Sequence, residues 1–442
     1  MDQTYMKTKK ILPLVMSMSL PMVLSMLVNA MYNIVDSMFV AMISEDAMTA
    51  ISLVFPIQNA LGAVAIGFGV GVNSIVAYYL GAQKKDIANS AASLGIVLSI
   101  IHSIVLTLLF IVVMPGFLSL FTKDIDIYNY GVRYAKVIIL CTFVTQIQLV
   151  YEKLFQAVGK MRVSMIAMMA GCIANIILDP VMIFGYGPFP AMGIDGAAIA
   201  TVLGQVITWI IYIVIYQMGG MNLKLSIEGG LKSFSLAKKI YNVGIPASLN
   251  QALPSLLITI LNAILAVFGG SGVLILGIYY KLQTFIYLTA NGMIQGIRPI
   301  VGYNYGAGEY KRVKQIFKTS LCIALVIMAV GTLVCFFIPG TLIGIYTSNP
   351  DTIKLGSTAL RIICIGFIPS AVSITVSGVL EGLGKGMPSL VIMAMRYLVL
   401  IVPIAFILSR FYAENGVWNA FWITECITFI IALILYKKSY KY

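Results

Sequence analysis

The chain has 442 residues, of which 60% are hydrophobic and only 10% charged, with a mean hydropathy of +0.97. A water-soluble domain carries roughly 25% charged residues, so this chain cannot coat itself for water. Its net charge of +13 does not indicate nucleic acid, because the Lys and Arg sit in short loops between long apolar stretches and form no basic face.

Windows of about 20 or more apolar residues give twelve segments, at 11–40, 48–80, 88–114, 129–157, 162–187, 194–218, 236–268, 272–303, 312–338, 352–382, 387–411 and 414–436. The expectation is an all-α membrane protein of twelve transmembrane helices. The first stretch is too long for a signal-peptide core of ~7–15 residues, so no cleavable leader is expected. Between the sixth and seventh segments, 219–235 carries Gly219-Gly220 and Gly229-Gly230 with basic residues around them, and reads as a solvated linker. It divides an N-lobe (1–218) from a C-lobe (236–442). Cys141, Cys172, Cys322, Cys335, Cys364 and Cys426 all fall inside apolar segments with no CxxC spacing, and read as small buried hydrophobes.

The first half returns in the second, 225 residues later. Gly67–Ala82 aligns without a gap with Gly292–Ala307, sharing Gly67/Gly292, Gly71/Gly296, Ile75/Ile300, Val76/Val301, Tyr78/Tyr303, Gly81/Gly306 and Ala82/Ala307. The same offset pairs Pro21 with Pro246, Thr122 with Thr347, and Gly159-Lys160 with Gly384-Lys385. Duplicated apolar units are how many transporters build a site between two lobes. Positions 225 beyond Asp36 and Asp179 are Leu261 and Ile404, so these buried acids are confined to one half.

Charge sets the expected orientation. Twenty basic residues, from Lys7, Lys9 and Lys10 through Lys84, Lys85, Lys153 and Lys160 to Lys437, Lys438 and Lys441, fall on the side of the termini; Lys123, Arg133, Lys136, Lys354 and Arg410 fall on the other. Both termini are therefore expected in the cytoplasm. Six spans per half return the chain to its starting side, so the halves are expected to be related by a pseudo-two-fold axis along the membrane normal.

An ionisable residue inside a span costs at least ~2.5–3.5 kcal/mol on insertion scales, so each needs a partner or a task. In the first span Asn29, Tyr32 or Asn33, and Asp36 recur at helical spacing on one face; in the fifth, Asn175 and Asp179 are one turn apart. Two carboxylates with amide oxygens at compatible depth suit a proton or a small hard cation, and Na⁺ is a candidate ligand at Asp36, Asn175 and Asp179. The residues do not choose between H⁺ and Na⁺. A buried Asp can alternatively brace a kinked helix, as beside Pro180.

The second half carries Lys281, Arg298, Arg361, Arg396 and Glu425 inside its spans. Arg298 and Arg361 are expected to snorkel toward the interfaces. Arg396 and Glu425, at similar depth in spans eleven and twelve, are expected to form a structural ion pair. Amides and aromatics in spans seven and eight mark a substrate cavity: Asn250, Gln251, Tyr279, Lys281, Gln283, Asn291 and Gln295, with Tyr32 from span one. The lone His102 reads as a hydrogen-bonded helix residue.

Pro21 through Asp36, the two repeats ending at Ala82 and Ala307, Asn175–Pro180, and Gly193–Thr201 together resemble the multidrug and toxic compound extrusion (MATE) family, in its DinF-like branch with MepA-type efflux pumps. The resemblance covers essentially the whole chain. It implies a V-shaped pair of six-helix lobes, efflux of organic cations by cation-coupled alternating access, and a coupling site of Asp36, Asn175, Asp179 and Thr201. The NorM branch carries carboxylates in spans seven and ten; here Ser248–Pro254 has none and span ten has no acid before Glu381, which argues against a second, C-lobe cation site.

The reading is thus a multidrug antiporter of the cytoplasmic (inner) membrane, taking small-molecule drugs and organic cations as cargo in exchange for H⁺ or Na⁺. No cofactor, other metal or nucleic acid is expected, the bilayer is its surroundings, and a monomer is the expected state. The alternative is a lipid-linked saccharide flippase of the same superfamily, for which Lys281, Arg298 and Arg396 would hold a pyrophosphate. An intramembrane enzyme would need a constellation such as HExxH or DDxxD, and neither occurs.

Overall fold

A computed structural model describes residues 3–187 and 189–439. Lys441 and the outermost ends of the two expected lobes lie outside the described residues. Every regular element among the described residues is helical. We number the long helices α1 (Ile11–Ala41), α2 (Glu45–Gly81), α3 (Lys85–Phe121), α4 (Ile125–Leu140 and Thr142–Ala157, bent by 49° between them), α5 (Met161–Phe184), α6 (Ile194–Ile215), α7 (Ala237–Ala266), α8 (Gly270–Gly306), α9 (Tyr310–Phe337), α10 (Pro350–Cys364 and Phe367–Gly382), α11 (Gly386–Ala394 and Ile401–Tyr412, joined by a π-helical turn at Met395–Val399) and α12 (Glu414–Ser439). Eleven are long and apolar enough to cross a membrane, and twelve if the bent pair in α4 is one span. A helix satisfies its own backbone polar groups, which is why so apolar a chain adopts this architecture. Its outward surface is oily: α3 exposes Ile104, Leu108 and Val112 at successive turns.

The internal repeat is visible in local chemistry. Before α4, Asp124 accepts from the backbone N–H groups of Asp126 and Ile127, while its own N–H donates to Thr122 Oγ1 at 3.1 Å. Before α10, Asn349 accepts from Asp351 and Thr352, and its N–H donates to Thr347 Oγ1 at 3.3 Å. Both caps satisfy amides that the helix start leaves without partners. The second segments of the two broken helices, Thr142–Ala157 and Phe367–Gly382, also start and end 225 residues apart.

Packing divides the molecule into two compact units, one of Leu24–Ser248, the other of the described residues up to Val23 together with those from Leu249 onward. The unit boundaries therefore fall inside α1 and α7. In the first unit, the start of α7 is held at Gly67 and Gly71, where an added Cβ would lie 2.2 Å from the Ser248 nitrogen and 2.4 Å from the Ile240 carbonyl. In the second, the start of α1 is held against Gly292 and Gly296, whose added Cβ would lie 2.7 Å from Val23 Cα and 2.6 Å from Ser19 Cα. These are the glycines that carry the sequence repeat. They are glycine because another backbone lies where a side chain would be.

Candidate functional site

The site of the first unit is assembled by α1, α4, α5 and α6. Asn175 and Asp179 are one turn apart on α5, and Asn175 Nδ2 donates to Asp179 Oδ1 at 3.3 Å. Asp179 is fully buried and Asn175 nearly so. Asp36 of α1 comes within hydrogen-bonding range of Asp179. Two ionised carboxylates have no proton to share, and Asp36 Oδ1, Asp179 Oδ2 and Asn175 Oδ1 are buried without hydrogen-bond partners. Buried polar atoms are normally satisfied, so this cluster of acceptors fits a bound proton or a small cation with oxygen ligands. Pro180 leaves the Ile176 carbonyl without its helical donor, which loosens α5 beside the acid.

Tyrosines surround the pair. Tyr32, one turn before Asp36, and Tyr134 on α4 lie near Thr201 on α6, whose Oγ1 is buried without a hydrogen-bond partner. Gln58 Nε2 of α2 donates to Tyr134 Oη at 3.2 Å, which fixes that hydroxyl. Of the six residues expected to couple a cation, Asp36, Asn175, Asp179 and Thr201 gather here. Asn29 lies on the adjoining cavity with Nδ2 4.0 Å from Cys172 Sγ. Asn33 is exposed and its amide bonds back to Asn29, at 2.8 Å to the carbonyl and 3.2 Å to Oδ1.

A cavity of about 200 Å³ runs alongside, between α1, α4, α5 and α6. Tyr32, Asn175 and Thr201 line it toward the acid pair; Glu152, Met168 and Thr208 line it further along. Its width follows from small residues. Gly171 and Gly204 face each other across α5 and α6, where an added Cβ at Gly171 would lie 2.7 Å from the Gly204 carbonyl. Close backbone approach of this kind is how small residues serve helix packing in membranes.

Sequence reasoning missed a second set of buried charges. Glu152 and Lys153 pair at 2.7 Å, and Gln156 Nε2 donates to the same Glu152 oxygen at 2.8 Å; Lys153 is therefore buried and not a solvated loop charge. In the other unit Arg298 does not snorkel: its guanidinium meets Glu381 at 2.6 Å, and Glu381 also accepts from Asn250 and Ser389 at 3.0 Å each. Arg361 is exposed and caps the Phe336 carbonyl. The 225-residue offset relates Asn73, Glu152, Gln156 and Ser164 to Arg298, Ser377, Glu381 and Ser389. One set of four positions thus carries a buried polar cluster in each half, with the acid and base moved. That offset, applied to Glu381, was the available signal.

The residues expected to line a cavity in spans seven and eight do not gather. Tyr279 is only 2% exposed and packs against Phe367 and Phe421, so it belongs to the hydrophobic core. Asn250 is taken up by Glu381 and Ser389. Gln251 and Asn291 are exposed, Gln283 and Gln295 half-buried, and exposed Lys281 sits 5.5 Å from the Tyr346 ring. Arg396 Nε donates to Glu425 Oε1 at 2.6 Å, and its guanidinium also donates to Tyr287 Oη at 3.0 Å. His102 Nε2 meets Tyr241 Oη at 2.7 Å.

The family model MatE matches residues 21–181 and 246–407, two stretches that begin 225 residues apart. Multidrug export protein MepA of Staphylococcus haemolyticus is 26% identical over 432 residues, covering 98% of this chain and 94% of that protein. The protein of the same name from Staphylococcus aureus is also 26% identical, with the same coverage. Among solved structures, an outward-facing multidrug resistance MATE family transporter superposes with a TM-score of 0.93 at 23% identity, covering 99% of this chain and 98% of that one. A superfamily transporter from Pyrococcus furiosus, described by the reverse polarity of its binding pocket, gives 0.92 at 23% identity with the same coverage.

Proposed function

We propose that this chain, which belongs to the MatE family, exports amphipathic and cationic small molecules across a cytoplasmic membrane in exchange for H⁺ or Na⁺. The all-helical, multi-pass architecture carries transport and not enzyme chemistry. The observation behind the coupling is the Asp36–Asp179 approach, with carboxylate oxygens left unpartnered beside Asn175. A proton or Na⁺ held there removes one of the pair's two negative charges and is shared between the carboxylates; without it, the paired negative charge repels itself and attracts a cationic cargo. Ion and cargo then stabilise different charge states of one site, and alternation between them is antiport. Tyr32, Tyr134 and Thr201 supply hydroxyls through which a proton reaches the acids. We assign the repeat halves 1–218 and 236–442 as the two lobes, joined by 219–235, in a monomer with both termini cytoplasmic.

The flippase alternative is disfavoured by the basic residues themselves. Arg298 is engaged by Glu381 and Arg396 by Glu425, so neither offers a free cation to a pyrophosphate. Purified protein in liposomes with imposed pH or Na⁺ gradients tests the reading. Gradient-driven accumulation of ethidium or a quaternary ammonium compound is the expected result. No response to either gradient, with rescue of a cell-wall flippase defect, would reverse the assignment.

A further inference from the structure

The acid pair does not account for every carboxylate on the cavity. Glu152 lies on the same cavity, toward its other end, and is 1% exposed. Along α5 the lining residues Asn175 and Met168 are seven positions apart, so the two ends are separated by about two turns, or roughly 10 Å. Glu152 Oε1 is occupied, accepting from Lys153 Nζ at 2.7 Å and Gln156 Nε2 at 2.8 Å. Glu152 Oε2 is buried with no hydrogen-bond partner. Lys153 already balances its charge. Oε2 is thus a strong acceptor with little net field around it, and a bare cation gains little there. A ligand that brings an N–H gains a charge-assisted hydrogen bond that the folded protein leaves unmade.

We propose that Glu152 Oε2 is a cargo subsite that selects protonated amines, which carry an N–H donor, over quaternary ammonium cations, which carry none. This rests on the export reading above and adds a substrate class to it. A site built to hydrogen-bond a donor rejects the analogue lacking it far more strongly than a purely apolar pocket rejects an extra methyl. Gln148, Thr145 and Gln205 line the same wall and offer further polar contacts, with Thr145 Oγ1 donating to Gln205 Oε1 at 2.6 Å. Asp36 and Asp179 would still attract either cation by charge.

Atropine and methylatropine form a matched pair, since one methyl group replaces the N–H of the protonated amine. Binding of both to the detergent-purified full chain should favour atropine at least tenfold, and Glu152→Gln should bring the two within about twofold by weakening atropine alone. Thermal melting checks that the variant folds. Because Glu152→Gln takes away the acid that balances buried Lys153, Glu152→Gln with Lys153→Met, which removes both charges, is measured beside it. A wild-type ratio near one, or a variant in which both ligands weaken equally, overturns the proposal. Transport of the same pair in liposomes separates the two layers. If wild type exports neither compound nor any other cation, the export reading fails, while the ratio of binding constants still decides the role of Glu152.

Discussion

Arg396 Nε donates to Glu425 Oε1 at 2.6 Å with the two side chains only 3% and 12% exposed, inside the stretch where α11 makes its π-helical turn. The guanidinium also lies 5.3 Å from the Tyr287 ring and 5.0 Å from that of Tyr397, so its cationic face is held on several sides. Breaking one partner of a buried pair leaves an uncompensated charge and costs ~3–5 kcal/mol, whereas removing both costs less. We predict that Arg396→Met with Glu425→Gln melts higher than the less stable single variant. Strict additivity in a thermal-shift cycle on purified protein would mean that the two charges are not coupled.

Arg298 and Glu381 should behave similarly but with a wider reach. Glu381 accepts from Asn250 and Ser389 as well, so Arg298→Met leaves a carboxylate only 4% exposed with neutral donors, while Glu381→Gln leaves a guanidinium that is less deeply buried, at 19% exposed. Arg298→Met is therefore expected to lower the melting temperature more than Glu381→Gln. Equal shifts would show that the carboxylate draws no more from the pair than the guanidinium does.

Asp36→Asn and Asp179→Asn should each reduce gradient-driven efflux at least tenfold while leaving the melting temperature within a few degrees. An amide keeps the shape and cannot change charge, so the fold survives and the exchange stops. Full transport by either variant would remove that acid from the coupling site. Cells lacking their own pumps should lose tolerance of ethidium when they carry Asp36→Asn.

Gly171→Ala should be far worse than its size suggests. The added Cβ would meet Thr208 Oγ1 at 2.0 Å and the Gly204 carbonyl at 2.7 Å, and a backbone atom cannot rotate aside. Overpacking of this kind costs about 1–3 kcal/mol. We expect a lower melting temperature together with lost efflux, whereas Gly62→Ala, with open space around it, should be silent in both assays.

The amino-acid sequence carried the elements because apolar length and the 225-residue repeat are local or periodic signals. Asn175 and Asp179, one turn apart in an apolar helix, were legible for the same reason. Tyr134 and Gln58 were not, since each is an ordinary residue of its own helix and acquires a role only when α2, α4 and α6 come together. Charge counting misplaced Lys153, because a basic residue near the end of a span reads as solvated whether or not an acid lies beside it. Tyr279 failed for the opposite reason. Its neighbours Lys281 and Gln283 suggested a polar face, yet its ring points among Phe367 and Phe421.

Gly171 and Gly204 sit one turn from Asn175 and Thr201 respectively, so the seam that lets α5 touch α6 is built into the helix faces that look onto the cavity beside the acid pair. For anyone reshaping cargo range by mutation, this separates two kinds of position on one wall. Side chains such as Met168, Gln148 and Gln205 can be exchanged in a library without moving a backbone. The two glycines cannot, because any side chain there prises the helices apart and displaces the amide that holds Asp179. A selection for altered drug export should therefore return variants rich in changes at the first set and empty at the second.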